Sequence, residues 1–478
     1  MKRPKIAVLL FVAFLLVYLL FLKNHYSTSK APPFRPPPHA EPGLGRTDDG
    51  RLGSADGLNF QYGIMFDAGS TGTRVHIFKL QMKSREPPTV DHETFEAIKP
   101  GLSAYADDPE KCAAGIQKLL LVARSSVPPS MWARTPLVLK ATAGLRLLPG
   151  EKAKQLLDKV RQIFQESPFL SRDDSVSIME GTDEGISAWI TVNVLIGGLG
   201  RADSTTVGML DLGGGSTQIT FSPRDEKTIQ TSPVDFIRSF QMFNRTHTVY
   251  THSYLGLGLM SARLTVLGGS VDPSGGSTEL VSPCLPPQYS GSWKHAEVVF
   301  TVKGQKAGEP VFEACLSRVQ KVLYGKVNRV SEVEKMDFYA FSYYYERAAD
   351  LGIIEILKTE LVGDDPSHLF LCPDEKEGGA IKVSDYTDAA RRVCSGPPAG
   401  PQQDPFLCLD LVYISVLLQE FGFPPHQQLR VSPPPPPILL IVSPDPVSVS
   451  QLAKTINQVE TSWALGATFN YMESLRGS

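Results

Sequence analysis

A pattern that occurs twice in the chain limits its possible folds more than any other feature. Within residues 207–221 an apolar strand ends at Asp211, a turn with three glycines follows, and a second alternating strand begins. Within residues 62–78 the same order recurs around Asp67, with Gly, Ser and Thr in the turn. Glycines in such turns let the backbone approach an anion closely, because no Cβ intervenes and positive φ is accessible. One such turn is most often an ordinary hairpin, but two copies predict a duplicated phosphate clamp.

The segments around these turns predict an α/β fold. Residues 137–141 form a short apolar run typical of a strand, and residues 115–123 are expected to form a short helix. After Gly150, apolar residues recur at helical spacing with Lys and Glu between them. Strands that alternate with helices are typical of α/β domains. We expect the hairpin of residues 61–80 to lie at a sheet edge, and a last helix near residues 462–475 to pack back on the N-terminal lobe.

Two acidic residues, Asp183 and Glu184, lie at the predicted start of a helix, just after a strand that ends near Met179. Acidic residues are favoured in the first turn of a helix, so plain capping is one interpretation. Ligands of open α/β sheets bind where strands end, so a role at a binding site is the other.

Residues 337–345 are unusually rich in aromatic side chains. Core packing is the usual explanation of such a run. A wall on which a base stacks is the alternative, because aromatic faces hold purines without specific polar contacts.

Charge and length exclude some classes of function. The formal net charge is −3, and no basic patch follows the first few residues, so nucleic acid is not an expected partner. A chain of 478 residues has room for two or more domains.

Residues 6–22 are 17 consecutive apolar residues that follow a basic N-terminus. As a helix they would span about 26 Å, enough for a thin bilayer. A signal anchor is predicted, with residues 1–5 in the cytosol and the remainder in the lumen. A cleaved signal peptide is the alternative. Residues 23–57 hold mostly Pro, Gly, Ser and charge, so we expect a disordered stem.

Lumenal placement favours disulfides among the six cysteines. Six cysteines allow 15 pairings, and the sequence alone does not choose between them. The sequon at Asn244 predicts N-glycosylation on a surface loop.

Several sequence blocks, in this order, closely resemble the nucleoside triphosphate diphosphohydrolase (apyrase) family. Within it the lumenal types five and six are most similar, type six the nearer. The blocks are residues 67–74, 140–146, 181–185 with Trp189, 211–218, 339–345 and 460–466.

The resemblance implies two RNase H-like lobes of the actin and hexokinase type with nucleotide in a central cleft. Lobe I would comprise residues 58–179, completed by 455–478, and lobe II residues 180–454. Two stretches, near 359–380 and 430–453, depart from the family pattern and are interpreted as insertions. The subgroup's two disulfides would fall on Cys284–Cys315 and Cys394–Cys408. Cys112 and Cys372 would then have no family partner.

The family hydrolyses terminal phosphates of nucleotides with Ca²⁺ or Mg²⁺. Carried over to this chain, Glu184 resembles the general base, Ser216 and Gln218 the residues that hold the attacking water, and Asp67 and Asp211 the metal residues, which act through water.

Phosphoryl transfer requires an in-line water and neutralisation of phosphate charge, and little else. Arg146 is predicted to assist catalysis, and Tyr343 and Tyr344 to bind the base. The predicted phosphate-binding residues are Ser70, Thr71, Gly72, Thr73, Arg74, Thr142, Gly213, Gly214, Gly215 and Ser216.

The sequence therefore predicts a monomeric nucleoside diphosphatase of the Golgi membrane, single-pass type II with a lumenal catalytic domain, or a form released by cleavage. With this resemblance, GDP, IDP and UDP are expected to be the preferred substrates, and triphosphates are expected to be hydrolysed more slowly. The alternatives are a catalytically silent nucleotide-binding protein, and another phosphotransferase of the same superfold, such as a sugar kinase or exopolyphosphatase.

Overall fold

The structure is a computed structural model. It describes residues 60–83, 87–199, 206–270, 277–295, 298–305, 311–353, 380–396, 404–430 and 455–477. The predicted cytosolic tip, signal anchor and stem lie outside these residues, as do Cys372 and nearly all of the two predicted insertions. Within the described part of the chain, no helix is both long and apolar enough to cross a bilayer.

The first lobe is built on a five-stranded sheet with the order β3-β2-β1-β4-β5. Strands β1, β2 and β3 are antiparallel neighbours, whereas β4 and β5 continue parallel to β1. The strands are β1 (Phe60–Ala68), β2 (Thr73–Gln81), β3 (Thr89–Ile98), β4 (Leu137–Ala141) and β5 (Val176–Ile178). The prediction that the β1–β2 hairpin lies at a sheet edge is wrong, because β3 covers β2 and β4 covers β1.

Helices of the first lobe pack on one face of this sheet. The predicted apolar stripe of the helix at Gly150–Gln165, which includes Leu156, Val160 and Phe164, is buried in the same core as Phe66 and Leu139. The helices are α1 (Cys112–Ser126), α2 (Ala143–Arg146) and α3 (Gly150–Gln165), with 3₁₀ turns at Leu102–Tyr105, Pro109–Lys111 and Pro129–Arg134.

The second lobe is built on a seven-stranded sheet with the order β14-β15-β13-β6-β7-β9-β8. Five of its strands, β9-β7-β6-β13-β15, repeat the order and the parallel or antiparallel pairings of the first sheet. The strands are β6 (Gly208–Leu212), β7 (Ser216–Phe221), β8 (Ile237–Met242), β9 (Arg245–Leu255), β13 (Phe338–Ser342), β14 (Ala380–Lys382) and β15 (Gln428–Arg430). The predicted two-lobed α/β fold is confirmed, and the duplication extends from the turn to the sheet.

Further helices and a small sheet complete the second lobe. The helices are α5 (Glu226–Thr231), α6 (Leu259–Leu267), α7 (Val311–Leu323), α8 (Tyr343–Asp350), α9 (Val383–Ser395) and α10 (Leu407–Phe421), with 3₁₀ turns at Val234–Phe236 and Ser331–Lys335. The small sheet contains β10 (Glu279–Ser282), β11 (Ser290–His295) and β12 (Val298–Gly304), in the order β10-β12-β11.

Two helices, α4 (Gly181–Leu195) and α11 (Ala464–Gly477), share a core with both sheets. This core joins Met65 of β1 and Met209 of β6 to the helices. A Cβ on Gly466 would overlap the carbonyl oxygen of Ser187, so only glycine allows α11 to approach α4 this closely. As predicted, α11 also packs on β1. A short hairpin, β16 (Thr455–Ile456) and β17 (Val459–Glu460), precedes it.

Both predicted disulfides are confirmed. Cys284–Cys315 and Cys394–Cys408 have S–S distances of 2.03 and 2.08 Å. Cys112 is a buried free thiol, and burial raises its pKa to about 11. Asn244 is exposed at the tip of the β8–β9 hairpin, a position that a glycan can occupy without displacing core side chains.

Candidate active site

The two aspartate turns lie against each other. A Cβ placed on Gly214 would overlap Ser70 Oγ and lie 3.2 Å from Thr71 Cγ2. Each turn is closed by a backbone hydrogen bond at the same position: Gly69 N–H donates to the Gly72 carbonyl at 3.0 Å, and Gly213 N–H to the Ser216 carbonyl at 3.0 Å. The ends of β1 and β6 therefore meet at one place.

The two aspartates are buried to similar degrees but have different partners. Arg74 donates to Asp67 Oδ2 at 2.9 Å, while Asp67 Oδ1 is buried without a hydrogen bond. Ser342 Oγ donates to Asp211 Oδ1 at 2.7 Å. Burial raises the pKa of Asp211; the Ser342 hydrogen bond opposes this and the charge of Asp67 adds to it. The charge of Asp67 thus adds to the effect of burial on Asp211.

Glu184 lies in the first turn of α4 and is 6% exposed. Its carboxylate forms an ion pair with the Arg146 guanidinium. Burial raises the pKa of Glu184 to about 8; Arg146 opposes the shift, and the negative charges of Asp211 and Asp67 add to it. Three carboxylates from three elements therefore share one electrostatic environment.

Gln218 stands directly across from Asp211 in the β6–β7 register. Its Nε2 donates to Ser216 Oγ at 2.8 Å and to Ser253 Oγ at 2.9 Å. A Cβ on Gly181 would overlap Ser253, so the start of α4 lies against this polar group. The structure thus brings Ser216 and Gln218 close to the helix that carries Glu184.

The predicted phosphate-binding residues lie in or beside the two turns, except Thr142, which follows β4. Ser70 and Thr71 are partly exposed at the junction, whereas Thr73 and Thr142 are buried. The guanidinium of Arg74 is bound to Asp67, so it supports that carboxylate.

The two tyrosines predicted to bind the base differ in burial. Tyr344 is completely buried in the core of the second lobe, so its ring has no face on which a base can stack. This placement argues against Tyr344 as a base-binding residue. Tyr343 is partly buried, with its ring 6.0 Å from the guanidinium carbon of Arg347. Of the two, only Tyr343 has surface left for a ligand.

Sequence reasoning missed Ser342 and Ser253. Ser342 is hidden in the aromatic run, and its hydroxyl could be noticed there only once β13 was known to lie beside β6. Ser253 lies near the C-terminal end of β9, and its relation to Gln218 depends on the β7–β9 register. No local signal in the sequence marks either residue.

The donor set fits a divalent cation held through water. Asp67 offers a buried oxygen without a partner, and Asp211 a second carboxylate next to it. Among the described residues, no group of three or more His, Cys, Asp or Glu side chains is close enough to ligate a metal directly. Such a sparse set suits a cation that keeps most of its waters.

Comparison with known proteins identifies the family of the chain. The model of the GDA1/CD39 (nucleoside phosphatase) family matches residues 54–477. The chain belongs to this family. It is therefore a hydrolase, and the family resemblance predicted from the sequence blocks is confirmed.

Relatives of this GDA1/CD39 protein match nearly all of it. Human ectonucleoside triphosphate diphosphohydrolase 6 is 51% identical over 463 residues, 96% of this chain and 87% of the relative. The chicken (Gallus gallus) ectonucleoside triphosphate diphosphohydrolase 5 is 48% identical, over 87% of this chain and 88% of the relative. A human protein named nucleoside diphosphate phosphatase ENTPD5 is 45% identical over the same shares.

A solved structure shares the fold of this GDA1/CD39 protein. It is that of nucleoside triphosphate hydrolases from Neospora caninum, with a TM-score of 0.55 and 16% identity. The match covers 88% of this chain and 94% of that one. At this identity the likeness concerns the fold alone.

Proposed function

We propose that the enzyme hydrolyses nucleoside diphosphates to monophosphate and phosphate, with GDP, IDP and UDP preferred over triphosphates. The relative named nucleoside diphosphate phosphatase, 45% identical over 87% of this chain, supports this substrate class. The enzyme would act in the lumen of the secretory pathway as a type II membrane protein of the Golgi.

The observation that carries the proposal is the environment of Glu184. A general base works best when its pKa lies near the working pH, and burial raises the pKa of this carboxyl to about 8. The ionised form accepts a proton from water while the Arg146 guanidinium stabilises its charge. Direct attack by this water on the terminal phosphorus requires no covalent intermediate.

Ser216 and Gln218 hold and orient the attacking water. Both Nε2 hydrogens of Gln218 are engaged by the Ser216 and Ser253 hydroxyls. The amide oxygen of Gln218 can therefore accept a hydrogen bond from the water. This hydrogen bond orients the water so that a lone pair of its oxygen points at the phosphorus. Correct placement of the water is a large part of catalysis in phosphoryl transfer.

The two turns cradle the phosphate chain. Backbone N–H groups of Gly214, Gly215 and residues 70–72, with the hydroxyls of Ser70 and Thr71, can donate to phosphate oxygens, whereas those of Gly69 and Gly213 close the turns. Asp67 and Asp211 would hold a divalent cation, Ca²⁺ or Mg²⁺, through its water shell. When bound, the cation neutralises charge on the phosphate oxygens. Tyr343 remains the candidate for contact with the base.

A phosphate-release assay tests the proposal. Purified lumenal domain is given GDP, UDP, IDP, ADP and ATP, each with Ca²⁺, with Mg²⁺ and with chelator. We expect the highest kcat/KM with GDP, IDP or UDP, lower values with ATP, and no release with chelator. Tight nucleotide binding without phosphate release would instead favour a silent binding protein.

Replacement of the general base tests the mechanism. Glu184→Gln keeps the shape of the side chain but removes its basicity, so kcat should fall by roughly 10²-fold or more. The Kd for a methylene-bridged diphosphate analogue should change little. Glu151→Gln, on an exposed turn of α3, is the matched control and should retain full turnover. Wild-type kcat in Glu184→Gln would remove Glu184 from the mechanism.

Protease protection in sealed Golgi vesicles tests the proposed orientation. An epitope after residue 478 should be protected until detergent is added. An epitope before residue 1 should be cleaved without detergent if the N-terminus stays in the cytosol. Cleavage of both epitopes in intact vesicles would contradict lumenal placement.

A further inference from the structure

Ser342 has a backbone conformation unusual for its residue type. Its φ is 54° and its ψ −126°, a region in which residues with a Cβ are strained. Phe243 and Asn244, which also have positive φ, form the tip of a two-residue hairpin, where such φ values are common. Ser342 instead lies between β13 and α8, at a sharp strand-to-helix turn.

The strained turn presents the hydroxyl to the site. A sharp strand-to-helix turn of this kind holds a side chain at the carboxyl end of a sheet. Here Ser342 Oγ donates to Asp211 Oδ1 at 2.7 Å. Since Oδ1 is occupied, Oδ2 is the oxygen left to face the water shell of a cation. The hydroxyl thereby fixes the rotation of the carboxylate.

The corresponding position in the first lobe carries no hydroxyl. Leu212 pairs with Ser342 between β6 and β13, as Ala68 pairs with Ala141 between β1 and β4. Ala141 cannot donate a side-chain hydrogen bond, and Asp67 is held by Arg74 instead. The second lobe therefore holds its aspartate with a neutral hydroxyl from the neighbouring strand, whereas the first lobe holds its aspartate with the charged guanidinium of Arg74.

We propose that Ser342 is a positioning residue for the divalent cation: its hydroxyl, held in place by a strained backbone, sets the orientation of Asp211. The proposal rests on the assignment of Asp211 to the cation under the proposed function. Because Ser342 also precedes Tyr343, the first residue of α8, one turn connects the predicted base contact to the cation site.

Two variants separate the hydroxyl from the strain. Ser342→Ala removes the hydroxyl and keeps a Cβ in the strained conformation. Ser342→Gly removes both, since glycine adopts positive φ without cost. Ser222→Ala is the matched control, because Ser222 Oγ donates to the Thr248 carbonyl at 3.0 Å in the same lobe, away from the site.

The direct measurement is Mn²⁺ binding by electron paramagnetic resonance, in the presence of α,β-methylene GDP. The Kd for Mn²⁺ should rise roughly tenfold in both Ser342 variants, the effect of one hydrogen bond to a charged group, and should not change in Ser222→Ala. The Mn²⁺ concentration for half-maximal turnover should rise in parallel. Ser342→Gly should melt at a higher temperature than Ser342→Ala, since it relieves the strain.

Unchanged Mn²⁺ affinity in both Ser342 variants would overturn the proposal, as would a fall in kcat at an unchanged half-saturating Mn²⁺ concentration. Asp211→Asn distinguishes this failure from failure of the cation assignment itself. Weak binding in Asp211→Asn with normal binding in the Ser342 variants refutes only the role of Ser342. Normal binding in Asp211→Asn refutes the assignment of Asp211 as well.

Discussion

The two aspartate turns have the same strand order and the same closing hydrogen bond, yet their carboxylates have different partners. In the first lobe, Asp67 stands across from Arg74 in the β1–β2 register. In the second lobe, Asp211 stands across from Gln218 in the β6–β7 register. At equivalent cross-strand positions, the aspartate therefore faces a guanidinium in the first lobe and a neutral amide in the second.

This difference separates two tasks of the site. The Arg74 guanidinium partly neutralises Asp67 and holds it in one orientation. Gln218 instead engages Ser216 and Ser253, and Asp211 takes its donor from Ser342 on the other neighbouring strand. Under the proposed function, the duplicated scaffold would provide a charge-balanced phosphate clamp on one side and an amide that holds the water on the other.

Replacement of each aspartate gives the largest expected effect and tests the comparison directly. Asp67→Asn and Asp211→Asn should each reduce kcat/KM by roughly 10²-fold or more, because each removes a charge that is proposed to hold the cation. Their stabilities should differ. Asp67→Asn leaves Arg74 without its partner and should lower the free energy of unfolding by about 1 kcal/mol. Asp211→Asn removes a charge that burial disfavours and should not lower it. Urea denaturation measures both, and equal destabilisation would contradict the distinction.

The pH dependence gives the next largest effect. Only ionised Glu184 can accept a proton, so kcat/KM should fall about tenfold per unit of pH below the pKa of that carboxyl in the free enzyme. That pKa is about 8 without metal, and a bound cation lowers it. Asp211→Asn should lower the pKa of Glu184 more than Asp67→Asn does, because Asp211 is the larger contributor. Carboxyl titration in metal-free protein by nuclear magnetic resonance checks this.

The raised pKa of Glu184 also predicts the direction in which stability changes with pH. The folded-state pKa of Glu184 lies above its ordinary value of 4.5. Its contribution to stability is therefore complete below about pH 4.5 and is lost as the pH rises through about 8. Glu184→Gln should remove this part of the pH dependence of the melting temperature in metal-free protein. An unchanged dependence would mean that Glu184 is already ionised when the cation is absent.

A methyl group at the junction of the turns should have a smaller but clear effect. Gly214→Ala places its Cβ on Ser70 Oγ and displaces a predicted phosphate donor, so kcat/KM should fall about tenfold. Gly150→Ala is the control, since a Cβ there meets no atom within 4 Å. Phosphate release from GDP is the measurement. Full activity in Gly214→Ala would show that the turns do not clamp the phosphate between them.

The smallest expected effect concerns the support of Gln218. Ser253→Ala removes one acceptor of Nε2 and leaves the Ser216 contact, so kcat should fall a few-fold at unchanged KM. Ser239→Ala, which loses an exposed hydroxyl contact to Thr248 on the neighbouring strand, is the matched control. A rise in KM without a fall in kcat would assign Ser253 to substrate binding instead of water placement.

Sequence reasoning succeeded where the signal is local. A few consecutive residues are enough to predict the strand–turn–strand segments, the amphipathic helix after Gly150 and the helix start at Glu184. The structure contains all of them. It failed where the signal depends on distant pairing. The hairpin of β1 and β2 was predicted at an edge because β3, with many charged residues, gives little strand signal.

The same limit explains the errors at the site. Tyr344 and Tyr343 are adjacent and chemically identical, and only the direction of α8 decides that one enters the core. The backbone strain of Ser342 is invisible in a sequence, because serine carries no preference for positive φ. Residue roles that depend on register or helix rotation require coordinates.

The position of α11 has a consequence for biosynthesis. Gly466 N–H donates to Thr191 Oγ1 of the helix that carries Glu184, across 275 residues of chain. When the ribosome has synthesised the residues of both aspartate turns, Gly466 has not yet been translated. The layer that buries the far side of the catalytic helix therefore closes only after residues 464–477 leave the ribosome. Under the proposed function, nucleotide turnover would therefore begin only after both lobes are translated, however early each lobe folds.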